Sequence, residues 1–217
     1  MSIFGFGDGG AAAALELLRS NPLTAVNSYG FHVVTANANV YNANTGGTCS
    51  VSCQKADNSV YKLVVSANAG LDYFYPYRNS VTGGVGECTV PLGQKDGTLV
   101  LTGGMNGCSL QVNKWKGAFV FYHDLNGQYL DDTKCPGDIV CRVDYKSYAG
   151  PLAIGSKGAE DLSVSTKTPT MFSHTLLTVH EKGKWCVYVS GIYLVGQANF
   201  RTFVPTVSPL ITSFEDD

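Results

Sequence analysis

Two residue types capable of covalent chemistry lie fifteen positions apart in the middle of the chain. Cys108 follows Gly107, and His123 ends the apolar run AFVFYH. A glycine before a nucleophile lets the backbone turn sharply and lets a substrate approach closely. Pairing with a histidine lowers the pKa of a cysteine thiol from about 8.5 to roughly 3.5–7.5. The pair therefore predicts a cysteine nucleophile with a histidine base, which together attack an electrophilic carbonyl.

A β-hairpin is the element that would bring the two residues together. The runs SLQV (109–112) and AFVFYH (118–123) have strand composition, and the polar segment 113–117 between them predicts the turn. In that hairpin we expect residue 108 to lie across from about residue 122 or 123. Asp124 adjoins His123, so on a strand its side chain points to the opposite face. The alternative to a catalytic pair is that Cys108 is an inert thiol in the core and His123 an ordinary histidine at the end of a strand.

The other elements are mostly short strands. Residues 11–20, AAAALELLRS, favour one helix that ends before Asn21-Pro22. Further strands are expected at 31–41, 59–67, 98–103 and 139–145, with a hairpin over 171–196. Segments 68–97 and 146–170 have no clear pattern and are expected to be irregular loops. We expect one domain over 1–217, of β-dominated α/β class, with a mixed β-sandwich or layered sheet and few helices.

Composition excludes several classes of function. The chain has 217 residues, 15 basic and 17 acidic side chains and a formal net charge of −2, with no block of like charge. Nucleic acid is therefore not an expected partner, since phosphate binding needs clustered Lys and Arg. No apolar run approaches the roughly 20 residues of a membrane span. The first 22 residues have no basic region of the kind that opens a cleavable signal peptide.

The seven cysteines leave three states open. Cys49 with Cys53, and Cys135 with Cys141, could each close a small disulfide loop, or all four could bind zinc. Reduced, mostly buried thiols are the third and favoured state. The odd count leaves at least one thiol unpaired, and Cys108 is the best candidate. We expect no metal and no cofactor.

The segment from residue 60 to residue 127 resembles a known family. A glycine-preceded cysteine followed fifteen residues later by a histidine, in a β-rich domain of this size, is similar to the catalytic domain of the cytotoxic necrotizing factor group of glutamine deamidases. The Burkholderia lethal factor type is a more distant relative with a similar design. The family motif Leu-Ser-Gly-Cys corresponds here to the segment MNGC (105–108), in which only Gly-Cys is kept.

The resemblance implies roles for several residues. Cys108 would be the nucleophile and His123 the base and then the acid. The upstream segment closing the strand YKLVV would orient the histidine through Ser66 or Ala67. Asn68 and the backbone amide of Cys108, supported by Gly107, would form the oxyanion hole.

The aromatic side chains near these elements form the expected rim of the substrate site. They are Tyr75, Tyr77 and Tyr122. Packing beneath a loop is the alternative role for the run 73–77.

The implied reaction is hydrolysis of a protein glutamine side chain to glutamate through a thioester. The implied partner is a host protein, such as a Rho-type GTPase or a translation factor, and we expect a monomer. The implied setting is secretion or delivery into host cytosol without a cleavable signal peptide, or otherwise the cytoplasm. Two alternatives stay open at this point: another Cys-His thiol hydrolase (a peptidase or transglutaminase), and a non-enzymatic β-rich binding protein.

Overall fold

Short strands arranged in two sheets make up most of the chain. The structure is a computed structural model that describes residues 9–36, 45–77, 85–131, 133–149, 153–196, 199–202 and 209–217. The helices are α1 (Gly9–Ser20), α2 (Pro22–Ser28), α3 (Tyr145–Ala149) and α4 (Ala153–Thr166). The strands are β1 (Gly30–Thr35), β2 (Gly47–Asp57), β3 (Val60–Ala67), β4 (Asp72–Phe74), β5 (Gly86–Pro91), β6 (Leu99–Leu101), β7 (Cys108–Trp115), β8 (Ala118–Leu125), β9 (Asp138–Val143), β10 (Thr170–Glu181), β11 (Lys184–Val195), β12 (Asn199–Thr202) and β13 (Leu210–Glu215).

The larger sheet is mixed and curled. Its strand order is β1-β3-β2-β4-β6-β10-β11-β12, with β13 also paired to β11. The pairs β1–β3 and β4–β6 are parallel and the others are antiparallel. The curl brings β1 back to β11, where the Phe31 amide donates to the Ser190 hydroxyl at 2.8 Å. The smaller sheet is antiparallel, in the order β5-β8-β7-β9.

Strand β11 explains how the layers stack. Along it Trp185, Val187 and Val189 face a core shared with the smaller sheet, while Cys186 and Tyr188 face a second core covered by α1 and α2. A strand buried on both faces needs apolar residues on both, which is why its sequence does not alternate. The expected β-dominated α/β class with layered sheets and few helices is confirmed.

Most predicted elements are present with shifted ends. The helix predicted at 11–20 is α1, and the strand predicted at 59–67 is β3. The hairpin predicted over 171–196 is β10–β11, turned by Lys182 and Gly183, both with positive φ. Of the strand predicted at 31–41, the structure describes residues 31–36, and residues 37–41 lie outside the described residues.

The prediction of irregular structure is wrong for segment 146–170 and holds for most of the described part of segment 68–97. Segment 146–170 contains most of α3 and all of α4, whereas the described residues of segment 68–97 include only the short strands β4 and β5. Helix α4 has the sequence AIGSKGAEDLSVST, whose glycines and serines have low helix propensity. Packing against β10 stabilises what the local sequence does not indicate. Within the described residues, no helix has the length and apolar character to cross a membrane.

A buried ion pair joins α1 to the larger sheet. Arg19 donates to both carboxylate oxygens of Asp72 at 2.7 and 2.6 Å, and also to the Gly97 carbonyl at 2.6 Å. Asp72 is 2% exposed and accepts a third hydrogen bond from the Leu99 amide at 3.0 Å. The carboxylate therefore stabilises both the helix and the start of β6.

Replacing Asp72 by alanine is expected to lower the free energy of unfolding by about 2–3 kcal/mol, because it leaves a part-buried guanidinium without its carboxylate and the buried Leu99 amide without an acceptor. Urea denaturation measures the change. The exposed pair Lys184–Glu215 at 2.6 Å provides the control, since Glu215→Ala should cost less than about 1 kcal/mol. Equal losses in the two variants would contradict the buried role of Asp72.

Candidate active site

The hairpin that carries Cys108 and His123 is tighter than predicted. Lys116 and Gly117 have φ of 51° and 76° and form a two-residue turn, so β7 and β8 extend to Trp115 and Ala118. Positive φ at both positions is what a type I′ turn requires. The shorter turn shifts the register: Cys108 pairs with Leu125, not with residue 122 or 123, and His123 pairs with Leu110.

The hairpin nevertheless places the two residues on one face. Paired positions share a face and alternate along each strand, so Cys108, Leu110 and His123 lie on the same side of the smaller sheet. Cys108 and His123 are diagonal neighbours, which in an antiparallel pair lie about 7–8 Å apart and closer at Cβ. This face is the inner one, packed toward the larger sheet. The site is therefore at the rim of the core between the sheets.

His123 is held by a residue that sequence reasoning missed. Its ring Nδ1 lies 2.6 Å from the hydroxyl oxygen of Thr102, which follows β6 in the larger sheet. Both side chains are fully buried, and Nε2 of His123 has no hydrogen-bond partner among the described residues. Burial lowers the pKa of His123 to about 3, so the imidazole is neutral at pH 7. In the tautomer that carries its hydrogen on Nδ1 and donates it to the Thr102 hydroxyl, Nε2 has a free lone pair and can accept a proton.

The Cys108 thiol is also neutral in this arrangement. Its side chain lies in the core and the residue is 4% exposed. Burial, with a smaller contribution from the Asp124 carboxylate, raises the pKa of the thiol to about 11. The expectation of a lowered thiol pKa is therefore wrong for the unliganded chain, because burial disfavours the thiolate and His123 carries no charge to offset it. The unliganded chain is therefore not expected to hold a preformed thiolate–imidazolium pair.

This protonation state predicts slow alkylation of Cys108 at neutral pH. Because the thiol pKa is raised, the thiolate fraction and hence the rate with iodoacetamide should keep increasing with pH toward about 11. Peptide mass spectrometry at each pH follows Cys108 separately from the half-buried thiol Cys53. A rate that reaches a plateau near pH 7 would instead demonstrate a preformed thiolate–imidazolium pair.

One of the three predicted rim tyrosines is at the surface beside the pair. Tyr77 is 42% exposed, its ring centroid lies 5.1 Å from that of His123, and its hydroxyl interacts electrostatically with the Cys108 thiol. Tyr75 is fully buried in the core between the sheets, and Tyr122 is buried on the outer face of the smaller sheet. A rim role for Tyr75 and Tyr122 is therefore wrong, because neither has surface to offer a substrate.

The upstream segment predicted to orient His123 lies elsewhere. Ser66 pairs with Ser50 on β2, Ala67 ends β3, and the Asn68 side chain donates to the Ser50 hydroxyl at 2.8 Å. Strand β3 is three strand positions from β6 in the larger sheet, or about 14 Å at the usual strand spacing. An orienting role for Ser66 or Ala67 is wrong, because Thr102 is the residue beside Nδ1 of His123. An oxyanion role for Asn68 is wrong, because its side chain is bound to Ser50 at the far end of β3.

Gly107 and Asp124 adjoin Cys108 and His123 in the chain. Gly107 has φ of 90°, a conformation that favours glycine at the turn before Cys108. The Cys108 amide donates to the Met105 carbonyl at 3.3 Å, so an oxyanion would compete with that carbonyl for the amide. Asp124 accepts a hydrogen bond from the Tyr129 amide at 2.9 Å on the outer face, opposite to His123.

All seven cysteines are free thiols, and all but Cys53 are buried. Small disulfide loops at 49–53 and 135–141 are therefore not present. Within the described ranges, no three His, Cys, Asp or Glu side chains cluster as they would around a metal ion.

A cavity of about 680 Å³ lies against the loop that precedes Cys108. Asn106, Gly107, Phe172 and His174 are among its lining residues.

Thr102 and His174 are the two site residues that the sequence prediction missed. For Thr102 the available signal was a hydroxyl directly after the run TLVL; for His174 no local pattern distinguished it from an ordinary strand residue.

Neither the protein-family models nor the curated proteins contain a match to this chain.

Proposed function

We propose that the chain is a cysteine-dependent glutamine deamidase, a toxin or effector that converts a glutamine side chain of a host protein to glutamate. One observation carries the proposal. His123 Nδ1 is held at 2.6 Å from the Thr102 hydroxyl, while its buried Nε2 has no partner and the ring lies on the same face as Cys108. A buried ring nitrogen without a partner costs stability, and a catalytic role is one explanation for its retention.

The proposed chemistry uses these residues in two steps. The Cys108 sulfur attacks the carboxamide carbon as its proton passes to His123 Nε2, and the imidazolium then gives that proton to the departing ammonia. Water, deprotonated by the same nitrogen, hydrolyses the thioester and restores the thiol. The balance is one amide and one water converted to one carboxylic acid and one ammonia.

Substrate access supports a role for Tyr77 at the rim. The thiol and the imidazole are both buried, and the ring of the partly exposed Tyr77 lies 5.1 Å from the His123 ring, centroid to centroid. In the proposal a glutamine side chain reaches Cys108 by displacing the Tyr77 ring. A glutamine side chain is long and narrow enough to reach a thiol at the rim of a core, whereas a peptide backbone requires an open cleft. This favours side-chain deamidation over chain cleavage.

The proposal is tested by incubating the chain with extract of eukaryotic cells, since the resemblance implies a host GTPase or translation factor as target. Release of ammonia, with a glutamine-to-glutamate conversion located by peptide mass spectrometry, is the expected result. Chain cleavage without ammonia would replace the proposal with a peptidase. An extract in which no glutamine is converted, although Cys108 is reduced and the chain is folded, would contradict it.

A further inference from the structure

One wall of the cavity near His174 is the loop that precedes Cys108. Asn106 and Gly107 line it and precede the nucleophile in the chain. The Met105 amide donates to the His174 carbonyl at 2.9 Å, and the Tyr148 hydroxyl donates to the Cys108 carbonyl at 2.7 Å. A ligand in this cavity therefore lies against the loop that positions the thiol.

The hydrogen bonds of His174 determine which ring nitrogen is an acceptor. The His174 backbone amide donates to Asn106 Oδ1 at 2.9 Å, which assigns that atom as the oxygen of the side-chain amide. The same oxygen lies 3.3 Å from His174 Nδ1, so Nδ1 carries the hydrogen and donates. Burial lowers the pKa of His174 to about 4, so the ring is neutral at pH 7. Nε2 is therefore a bare acceptor, and it is buried without a partner among the described residues.

The side chains next to this acceptor are aromatic, and the rest of the cavity lining combines apolar residues with the polar Glu160, Ser163 and Thr170. Rings of Phe172, Tyr148 and Tyr145 contact the His174 ring at centroid distances of 4.6, 5.3 and 6.2 Å. Tyr145, Val164 and Met171 line the mouth, and all three are exposed large hydrophobic side chains. A volume of about 680 Å³ is in the range of specific ligand sites, which combine apolar walls with few polar groups.

We propose that this cavity is a subsite for an aromatic side chain carrying one hydrogen-bond donor, as tyrosine or tryptophan does, next to the target glutamine of the protein substrate. The ligand's ring occupies the space between Phe172 and the exposed side chains at the mouth. Its O–H or N–H donates to His174 Nε2, which it reaches by moving the exposed ring of Tyr145. The identity of the ligand as a substrate residue rests on the proposed deamidase function, whereas the binding is independent of the reaction.

The binding test uses the small probes N-acetyl-tyrosinamide and N-acetyl-phenylalaninamide, which differ only in the donor. They are titrated into the Cys108→Ser variant and followed through the NMR resonances of the His174 ring. The tyrosine probe should bind about tenfold more tightly, the usual effect of one neutral hydrogen bond to an otherwise unpaired acceptor. Its binding should shift the Nε2 resonance, whereas the phenylalanine probe should leave that resonance nearly unchanged.

Two variants separate the acceptor from the general shape of the cavity. His174→Phe keeps an aromatic ring and should remove the preference for the tyrosine probe. The control His32→Phe, on β1 in the larger sheet, should keep it. Equal affinity of the two probes in the parent chain, or a tyrosine preference that survives His174→Phe, would overturn the subsite.

Parallel deamidation assays on the chain with Cys108 intact distinguish the two proposals. A chain that deamidates glutamine but shows no tyrosine preference refutes the subsite alone. A chain that binds the tyrosine probe through His174 but converts no glutamine refutes the assignment of the ligand as a substrate residue.

Discussion

Replacing Cys108 by serine is expected to lower glutamine deamidation by at least about a thousandfold while leaving the chain folded. Serine nearly keeps the shape of the side chain, but its hydroxyl is a far weaker nucleophile than a thiol. Ammonia release and peptide mass spectrometry measure the loss, and thermal unfolding monitors the fold.

Two further variants make this result specific to Cys108. Cys108→Ala removes the nucleophile without leaving a hydroxyl in a buried site, so it covers the case in which serine disturbs folding. Cys53→Ser removes a half-buried thiol of β2 on the larger sheet and should leave the rate within about twofold of the parent, since surface substitutions away from a site have small effects. A folded Cys108→Ala chain that still deamidates its target would rule out thiol catalysis.

Replacing Thr102 by valine is expected to lower kcat on the order of a hundredfold with a smaller change in KM, comparable to the loss of a positioned general base. Valine matches threonine in shape but removes the hydroxyl that lies 2.6 Å from His123 Nδ1. The proposed mechanism requires Nδ1 to donate its hydrogen to that hydroxyl and Nε2 to keep its lone pair, and the valine variant loses the acceptor for that hydrogen. Steady-state kinetics of ammonia release gives the two constants separately.

The variant Thr102→Ser shows whether Thr102 acts by orienting His123 or only by filling space in the core. Thr102→Ser keeps the hydroxyl and loses only a methyl group, so it should restore kcat to within a few-fold of the parent. Because Thr102 is fully buried at the end of β6, both variants should cost some stability, and thermal unfolding should be similar for the two. If Thr102→Ser is as impaired as Thr102→Val, the hydroxyl does not orient His123.

The sequence predicted the hairpin that carries Cys108 and His123, but it determined neither the register nor the face that they share. Strand composition along 109–112 and 118–123 predicted the two strands, which are β7 and β8. The predicted turn of five residues is in fact Lys116-Gly117, because positive φ is available at both positions. The residue opposite Cys108 is therefore Leu125 and not residue 122 or 123, and a shift by one residue is enough to exchange the faces of a strand. The thiol and imidazole are therefore diagonal neighbours and not a directly opposed pair.

Residues contributed from the other sheet could not be predicted in this way. Thr102 contacts His123 only because β6 of the larger sheet packs over β8 of the smaller one, and the two positions have no periodic relation in sequence. The resemblance directed attention to Ser66–Asn68, which share a strand-end position with Thr102 but lie on a more distant strand. The burial that keeps the thiol and the imidazole neutral is likewise a property of the packed layers.

Taken by itself, the sequence determined the β-dominated class, the helix α1, the β10–β11 hairpin and the β7–β8 hairpin with its glycine-preceded cysteine. These depend on local alternation, helix propensity and turn residues, which act over a few neighbouring positions. Only the tertiary structure decided the partner of His123, the burial of Cys108 and the cavity beside His174. Those features arise where two sheets and α4 meet, and contacts between distant segments depend on how whole layers pack.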